Sequence, residues 1–208
     1  MLGYDKEGNV ISFQMIGKLD TDGLLSCVKN SDLYLLRIAE SEGTMNLIRM
    51  NEKLSGHQLG TTVIFDLEGL STDMLSRSAI KMITSMLSQL QEMFPDVIRK
   101  IFIIRSPPFI QMVWSLISPC LAKQTKEKIN FLGTDWKAKL SECIAPSVLY
   151  EEWGGSRPPD QRYSRICQTG KIPRELRYTL ILFHFILRYQ LITSFLSDYL
   201  ATCLRSQC

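Results

Sequence analysis

Thr61-Thr62-Val63-Ile64-Phe65-Asp66-Leu67-Glu68-Gly69-Leu70 is the stretch that decides the architecture. Residues 61–65 are uncharged, β-branched and aromatic, with no polar–apolar alternation. That pattern marks a strand covered on both faces, as in a parallel or mixed sheet. Asp66, Glu68 and Gly69 then close it in a turn composition. The pattern returns after Arg99 and Lys100 as Ile101-Phe102-Ile103-Ile104. Between the two runs, Leu75, Ala79, Met82, Ile83, Met86, Leu87, Leu90 and Phe94 recur at helical spacing. Ser71-Thr72 is the expected helix start, and Pro95 the stop. Strand, helix and second buried strand make a right-handed crossover unit, hence an α/β layer fold.

Working upstream, Val10 to Met15 reads as a further strand after the turn Asp5-Lys6-Glu7-Gly8-Asn9. Asp20-Thr21-Asp22-Gly23 offers caps for a helix ending near Asn30. Ser31-Asp32 is the expected cap of a longer helix that runs to about residue 51. Downstream, Pro107-Pro108 lead into a helix from Phe109 to about Ala122. A short strand from Lys128 to Leu132 and a short helix from Trp136 to Cys143 complete the pattern.

The chain has 208 residues, 45% of them hydrophobic and 22% charged, a globular composition with room for one domain and an appendage. A net charge of +3, with the basic residues scattered, argues against a nucleic-acid partner. Six cysteines stand singly, without CxxC spacing, and there are two histidines, so no metal site is expected. Cysteines spread in this way read as reduced intracellular thiols. The first eight residues carry no apolar run of a secretory signal. Asp5, Glu7 and Asn9 lack the later Gly and Glu of a calcium loop. No GxSxG, P-loop or GxGxxG occurs, His57 has no nucleophile at a useful spacing, and Asp66 and Glu68 read as strand-end polar residues. No enzyme is expected.

One element stands apart. From Pro107 to Ala122 there is no charged residue, and the helix around Phe109–Ile117 is apolar nearly all the way round. Such a helix is either sandwiched in a core or packs one face on protein and turns the other to an apolar ligand or a membrane.

Read in order, Val63–Leu70, Phe94-Pro95-Asp96, Lys100–Ile104, Pro108-Phe109, Trp114, Pro119-Cys120-Leu121, Lys128-Ile129 and Glu152-Trp153-Gly154-Gly155 resemble a CRAL-TRIO lipid-binding domain of the phosphatidylinositol-transfer type. Gly17-Lys18-Leu19-Asp20 is similar to the family's early Gly-basic-x-Asp turn. The resemblance covers about residues 5 to 155. It implies a bowl: a mixed, largely parallel sheet as floor, helices behind it, and a mobile apolar lid helix at residues 108–122. It also implies a non-enzymatic protein that binds and exchanges one hydrophobic lipid ligand, with no other cofactor, and touches membranes transiently. The tail pocket is expected to be lined by Phe65, Phe102, Ile104, Phe109, Met112 and Val113. Resemblance to the phosphoinositide-binding members places Asp96, Thr125 and Lys128 at the head group. Arg105-Ser106-Pro107 replaces the family's usual Asn before Pro, and Leu149-Tyr150 its usual Leu-Pro. The helical subdomain that precedes the family's domain has no counterpart in these residues. A ligand-free adaptor that retains the fold is the rival reading.

Residues 156–178 have a linker composition, and residues 179–208 are expected to be an apolar helical tail. Within the linker, Cys167-Gln168-Thr169-Gly170-Lys171-Ile172-Pro173-Arg174-Glu175-Leu176 resembles the lead-in to the GOLD module of some family members, as in a truncated member of that branch. Leu180, Phe183, Leu187, Leu191, Phe195 and Leu196 recur at helical spacing, while Arg188 and Asp198 interrupt the apolar run. A membrane span needs about 20 apolar residues. The tail is therefore expected to pack on the domain or lie at an interface, and the protein to be cytoplasmic and peripheral to membranes.

Overall fold

The computed structural model describes residues 3–158. The linker beyond residue 158, the GOLD-like stretch and the apolar tail lie outside the described residues. Five strands form one sheet in sequential order. They are β1 (Gly3–Tyr4), β2 (Val10–Met15), β3 (Thr61–Asp66), β4 (Ile98–Ile104) and β5 (Ile129–Phe131). Only β1 is antiparallel to its neighbour, while β2, β3, β4 and β5 run parallel. Among the described residues six α-helices accompany them: α1 (Thr21–Cys27), α2 (Asn30–Ser55), α3 (Arg77–Met93), α4 (Ile110–Ile117), α5 (Lys123–Glu127) and α6 (Trp136–Cys143).

Several boundaries differ from the sequence expectation, each for a local reason. Lys29, in extended conformation and without a side-chain cap, precedes α2. Ser31 and Asp32 therefore sit in its first turn, where the acid faces the positive end of the helix dipole. The helix ends at Gly56 with φ of 72°, a left-handed cap suited to glycine. Ser71-Thr72 opens only a 3-10 turn. The true cap of α3 is Ser76, whose hydroxyl accepts from the Ala79 amide at 3.2 Å. The apolar helix α4 is shorter than expected, because a 3-10 turn at Ser118–Cys120, carrying Pro119, interrupts it before α5.

Parallel register divides the sheet into two unlike faces. Ile11, Ile64, Phe102 and Ile104 point to one face and are packed by Leu140, Ile144, Leu149, Tyr150 and Trp153. Ile11, Ile64, Ile104 and Trp153 are fully sealed. Val63, Ile101 and Ile103 point to the other, where Ile16, Phe65, Leu70, Ile110 and Ile129 remain only partly buried. On that second face Val10 is covered by Ile48 of α2. Close to β1, the buried Asp5 carboxylate accepts from the amides of Glu7 and Asn9 and from the Thr62 hydroxyl at 2.7 Å. It is thus an anchor between turn and sheet.

Candidate functional site: the half-covered sheet face under helix α4

Four parallel strands end at one edge, and the loops that leave them build the site. Gly17, after β2, lies so close to the next loop that a Cβ there would sit 2.0 Å from the Glu68 carbonyl oxygen. Only glycine permits that approach. Asp66 ends β3, and register sets it beside Ile104, the last residue of β4. Arg105 therefore emerges next to Asp66, in left-handed conformation with φ of 53°.

Arg105 is the centre of a network. Its Nε donates to Asp66 Oδ1 at 2.9 Å, its Nη2 to Asp66 Oδ2, and its Nη1 to Glu68 Oε2. Asp66, 1% exposed, also accepts from Trp153 Nε1 at 3.1 Å and from the Glu68 amide at 3.0 Å. The guanidinium stands 5.8 Å from the Trp136 ring centre. Burial works against the charged guanidinium. The Asp66 hydrogen bond and the charges of Asp66, Glu68 and Glu152 outweigh burial and hold its pKa above the ordinary arginine value. The network clamps the residue before Ser106-Pro107-Pro108, the link into α4, to the Trp153 turn. A close approach of Gly155 to the Leu149 carbonyl oxygen keeps that turn tight.

Beyond this link, α4 lies over the half-covered face. Ile110 packs on the Val63–Ile101–Ile103 cluster and Val113 points inward. Met112 and Leu116 are each 50% exposed on the outer side. Trp114 meets Phe131 of β5 edge to face at 5.4 Å. Gln91 of α3 fixes the far end of the segment. Its Oε1 accepts from the Ala122 amide at 2.8 Å and from the Thr125 hydroxyl at 3.0 Å. Its Nε2 donates to the Cys120 carbonyl at 3.0 Å. At the same corner Lys128 Nζ stands 3.6 Å from Asp96 Oδ1, with side chains 25% and 75% exposed. Asp96 is the second non-glycine residue in left-handed conformation, φ 57°.

The residues expected from sequence thus fall into three groups. Asp96, Thr125 and Lys128 lie at one corner, with the Thr125 hydroxyl already engaged by Gln91. Phe65 and Val113 lie on the half-covered face and its helix, Phe109 is the half-buried residue before α4, and Met112 points outward. Phe102 and Ile104 are corrected. Phe102 pairs with Ile64 and Ile104 with Asp66, which places both on the opposite, sealed face. A single wall containing Phe65, Phe102 and Ile104 is excluded by strand pleating. Val63, Ile101 and Ile103 are the residues that share the face of Phe65. Arg105 enters the sequence reading only as a departure from the family's usual Asn, with no role at the site. The available signal was a lone cation directly after a buried strand, beside a strand that ends in two carboxylates.

A family model described as the CRAL/TRIO domain matches residues 1–155. A CRAL-TRIO domain-containing protein of Caenorhabditis elegans is 28% identical over 165 residues, 79% of this chain and 40% of that protein. A phosphatidylinositol/phosphatidylcholine transfer protein of Arabidopsis thaliana is 26% identical over 74% of this chain and 28% of its own length. Protein real-time of Drosophila melanogaster is 28% identical over 73% of this chain and 24% of its length. The chain thus spans less than half of each of these relatives. The crystal structure of Sfh5 superposes with a TM-score of 0.61 at 17% identity, covering 92% of this chain and 63% of the other, a likeness of fold.

Proposed function

This chain belongs to the CRAL/TRIO domain family, whose members bind lipids and other small hydrophobic ligands, and on that premise we propose that it is a non-enzymatic carrier of one amphiphilic lipid. The observation that carries the reading is the inequality of the two sheet faces. On the first, Ile11, Ile64 and Ile104 are fully buried, although Phe13 and Met15 are only partly so. On the second, even the core residues Val63 and Ile103 keep 9% exposure, and Phe65, Ile16 and Ile129 are partly uncovered beside the uncharged helix α4. A domain of this size gains stability by sealing apolar faces. An apolar face left half-open under a helix is what a hydrophobic ligand would fill.

In this reading α4 is the lid. Its outer residues Met112 and Leu116, followed by exposed Lys123 and Lys126, form an uncharged apolar strip with a basic margin suited to an anionic membrane surface. Lys128 meets the lipid phosphate, and Asp96 orients its ammonium. A pair this exposed is weakly held, so a phosphate displaces Asp96 at small cost. Thr125 holds the segment through Gln91 and reaches the phosphate by releasing it.

Native mass spectrometry of the full chain after incubation with vesicles tests the reading. The expected result is one lipid per chain. Protein that stays empty with every vesicle composition refutes it and supports a ligand-free interaction module. Lys128→Ala should weaken retention of anionic phospholipid while leaving the unfolding temperature unchanged. Equal affinity of the unaltered chain for anionic and neutral lipids would overturn the head-group assignment.

A further inference from the structure

Strand β2 breaks the apolar character of the half-covered face. In parallel register Ser12 pairs with Val63 and Gln14 with Phe65, and these in turn pair with Ile101 and Ile103. All six side chains therefore share one face. Four are apolar and none is charged. Ser12 and Gln14 are half-buried. Among the described residues neither side chain has a hydrogen-bond partner, and neither polar end is sealed off. Elsewhere in the core, polar side chains on strands are satisfied. Thr61 donates to the Val10 carbonyl at 2.9 Å, and Thr62 to Asp5. Water satisfies these two groups in the open face, but a ligand that covers them strips that water, and only a ligand that offers acceptors there avoids the cost of leaving a hydroxyl and a carboxamide unpaired.

We propose that Ser12 and Gln14 donate hydrogen bonds to the acyl-ester carbonyls of the bound lipid, so that the floor of the pocket selects ester-linked lipids. This rests on the reading of that face as a ligand pocket. Three features specify the class. The absence of charge on the face disfavours a phosphate there, since burying an unpaired charge is costly, and the phosphate has Lys128 at another corner. Both side chains can donate, which fits acceptors. Two residues apart on one face, they stand about 6.5 Å from each other along the strand, so each serves a different carbonyl.

The experiment compares retention of a diacyl phosphatidic acid and its dialkyl-ether counterpart, an anionic pair suited to Lys128, presented in vesicles to the full chain. The two lipids share head group and chain length and differ in the carbonyls. The unaltered chain should prefer the ester form by roughly 2- to 10-fold per hydrogen bond. Ser12→Ala with Gln14→Leu should abolish the preference by lowering ester affinity and leaving ether affinity in place. Equal retention of the two lipids by the unaltered chain overturns the proposal while leaving the pocket reading intact. So does a preference that survives the double substitution. Retention of neither lipid overturns the pocket reading and this proposal with it. The comparison on the unaltered chain decides the matter even where the double variant misfolds, and Ser12→Ala alone then supplies the residue-level arm.

Discussion

Arg105→Ala removes the cation from a carboxylate that is 1% exposed. Asp66 keeps two donors, Trp153 Nε1 and the Glu68 amide, but loses both guanidinium contacts. Breaking a buried pair from one side costs about 3 to 5 kcal/mol. The two surviving donors and the 17% exposure of Arg105 place the expected loss at the low end, about 3 kcal/mol. Alanine bears the same left-handed φ as arginine, so backbone strain cancels from the comparison. For a domain of this size that loss lowers the unfolding temperature by about 6 to 12 °C. Urea unfolding at pH 7 measures it, and a cycle with Asp66→Asn isolates the coupling. The double variant should lose clearly less than the sum of the single losses. Trp153→Phe, which deletes one donor to the same carboxylate, should cost about 1.5 to 3 kcal/mol. A loss below about 1 kcal/mol for Arg105→Ala, or additive losses in the cycle, would show that the network does not bind the start of the α4 segment to the Trp153 turn.

Gln91→Leu deletes the acceptor of the Ala122 amide and the donor to the Cys120 carbonyl. Hydrogen exchange at Ala122 should accelerate at least tenfold with little change in the strands, since each lost bond is worth about 1 kcal/mol. Unchanged protection there would mean that α3 does not hold the segment that follows α4. Lys100 has its pKa raised, first by its 2.6 Å hydrogen bond to Glu7, against a smaller opposing effect of burial. A raised lysine pKa means that the folded state holds the proton more tightly than the unfolded one. The contribution is therefore complete below the ordinary lysine value and is lost as pH climbs through the raised one. Lys100→Met should flatten the fall in urea midpoint above about pH 10 and leave its slope at pH 6 to 8 unchanged.

The α/β class, the parallel strands and the crossover helix were legible because they rest on local patterns. An uncharged β-branched run between turn residues has one economical use, and an apolar stripe at spacings of three and four has another. The uncharged stretch 107–122 was legible in the same way. Helix starts were less so. Ser71-Thr72 and Ser31-Asp32 have the right chemistry for caps, but which serine closes a helix depends on where the preceding loop must turn, and at α3 that was Ser76. The Asp96–Lys128 contact joins residues far apart in the chain, and the family resemblance grouped them before the structure measured their distance.

The set of elements and their order follow from patterns local to each segment of the chain. Which side chains face one another is a property of the aligned strands. Phe65, Phe102 and Ile104 are alike as residues, yet Phe65 faces α4 while the other two face Trp153. A strand buried on both sides has no polar alternation to reveal its faces, so one residue of register reverses every assignment. Register is set by backbone hydrogen bonds to the neighbouring strand, which carry no side-chain signature. For the same reason the pairing of Asp66 with Ile104, which delivers Arg105 to its two carboxylates, and that of Ser12 with Val63, which turns a hydroxyl toward the half-open face, exist only once the strands are aligned.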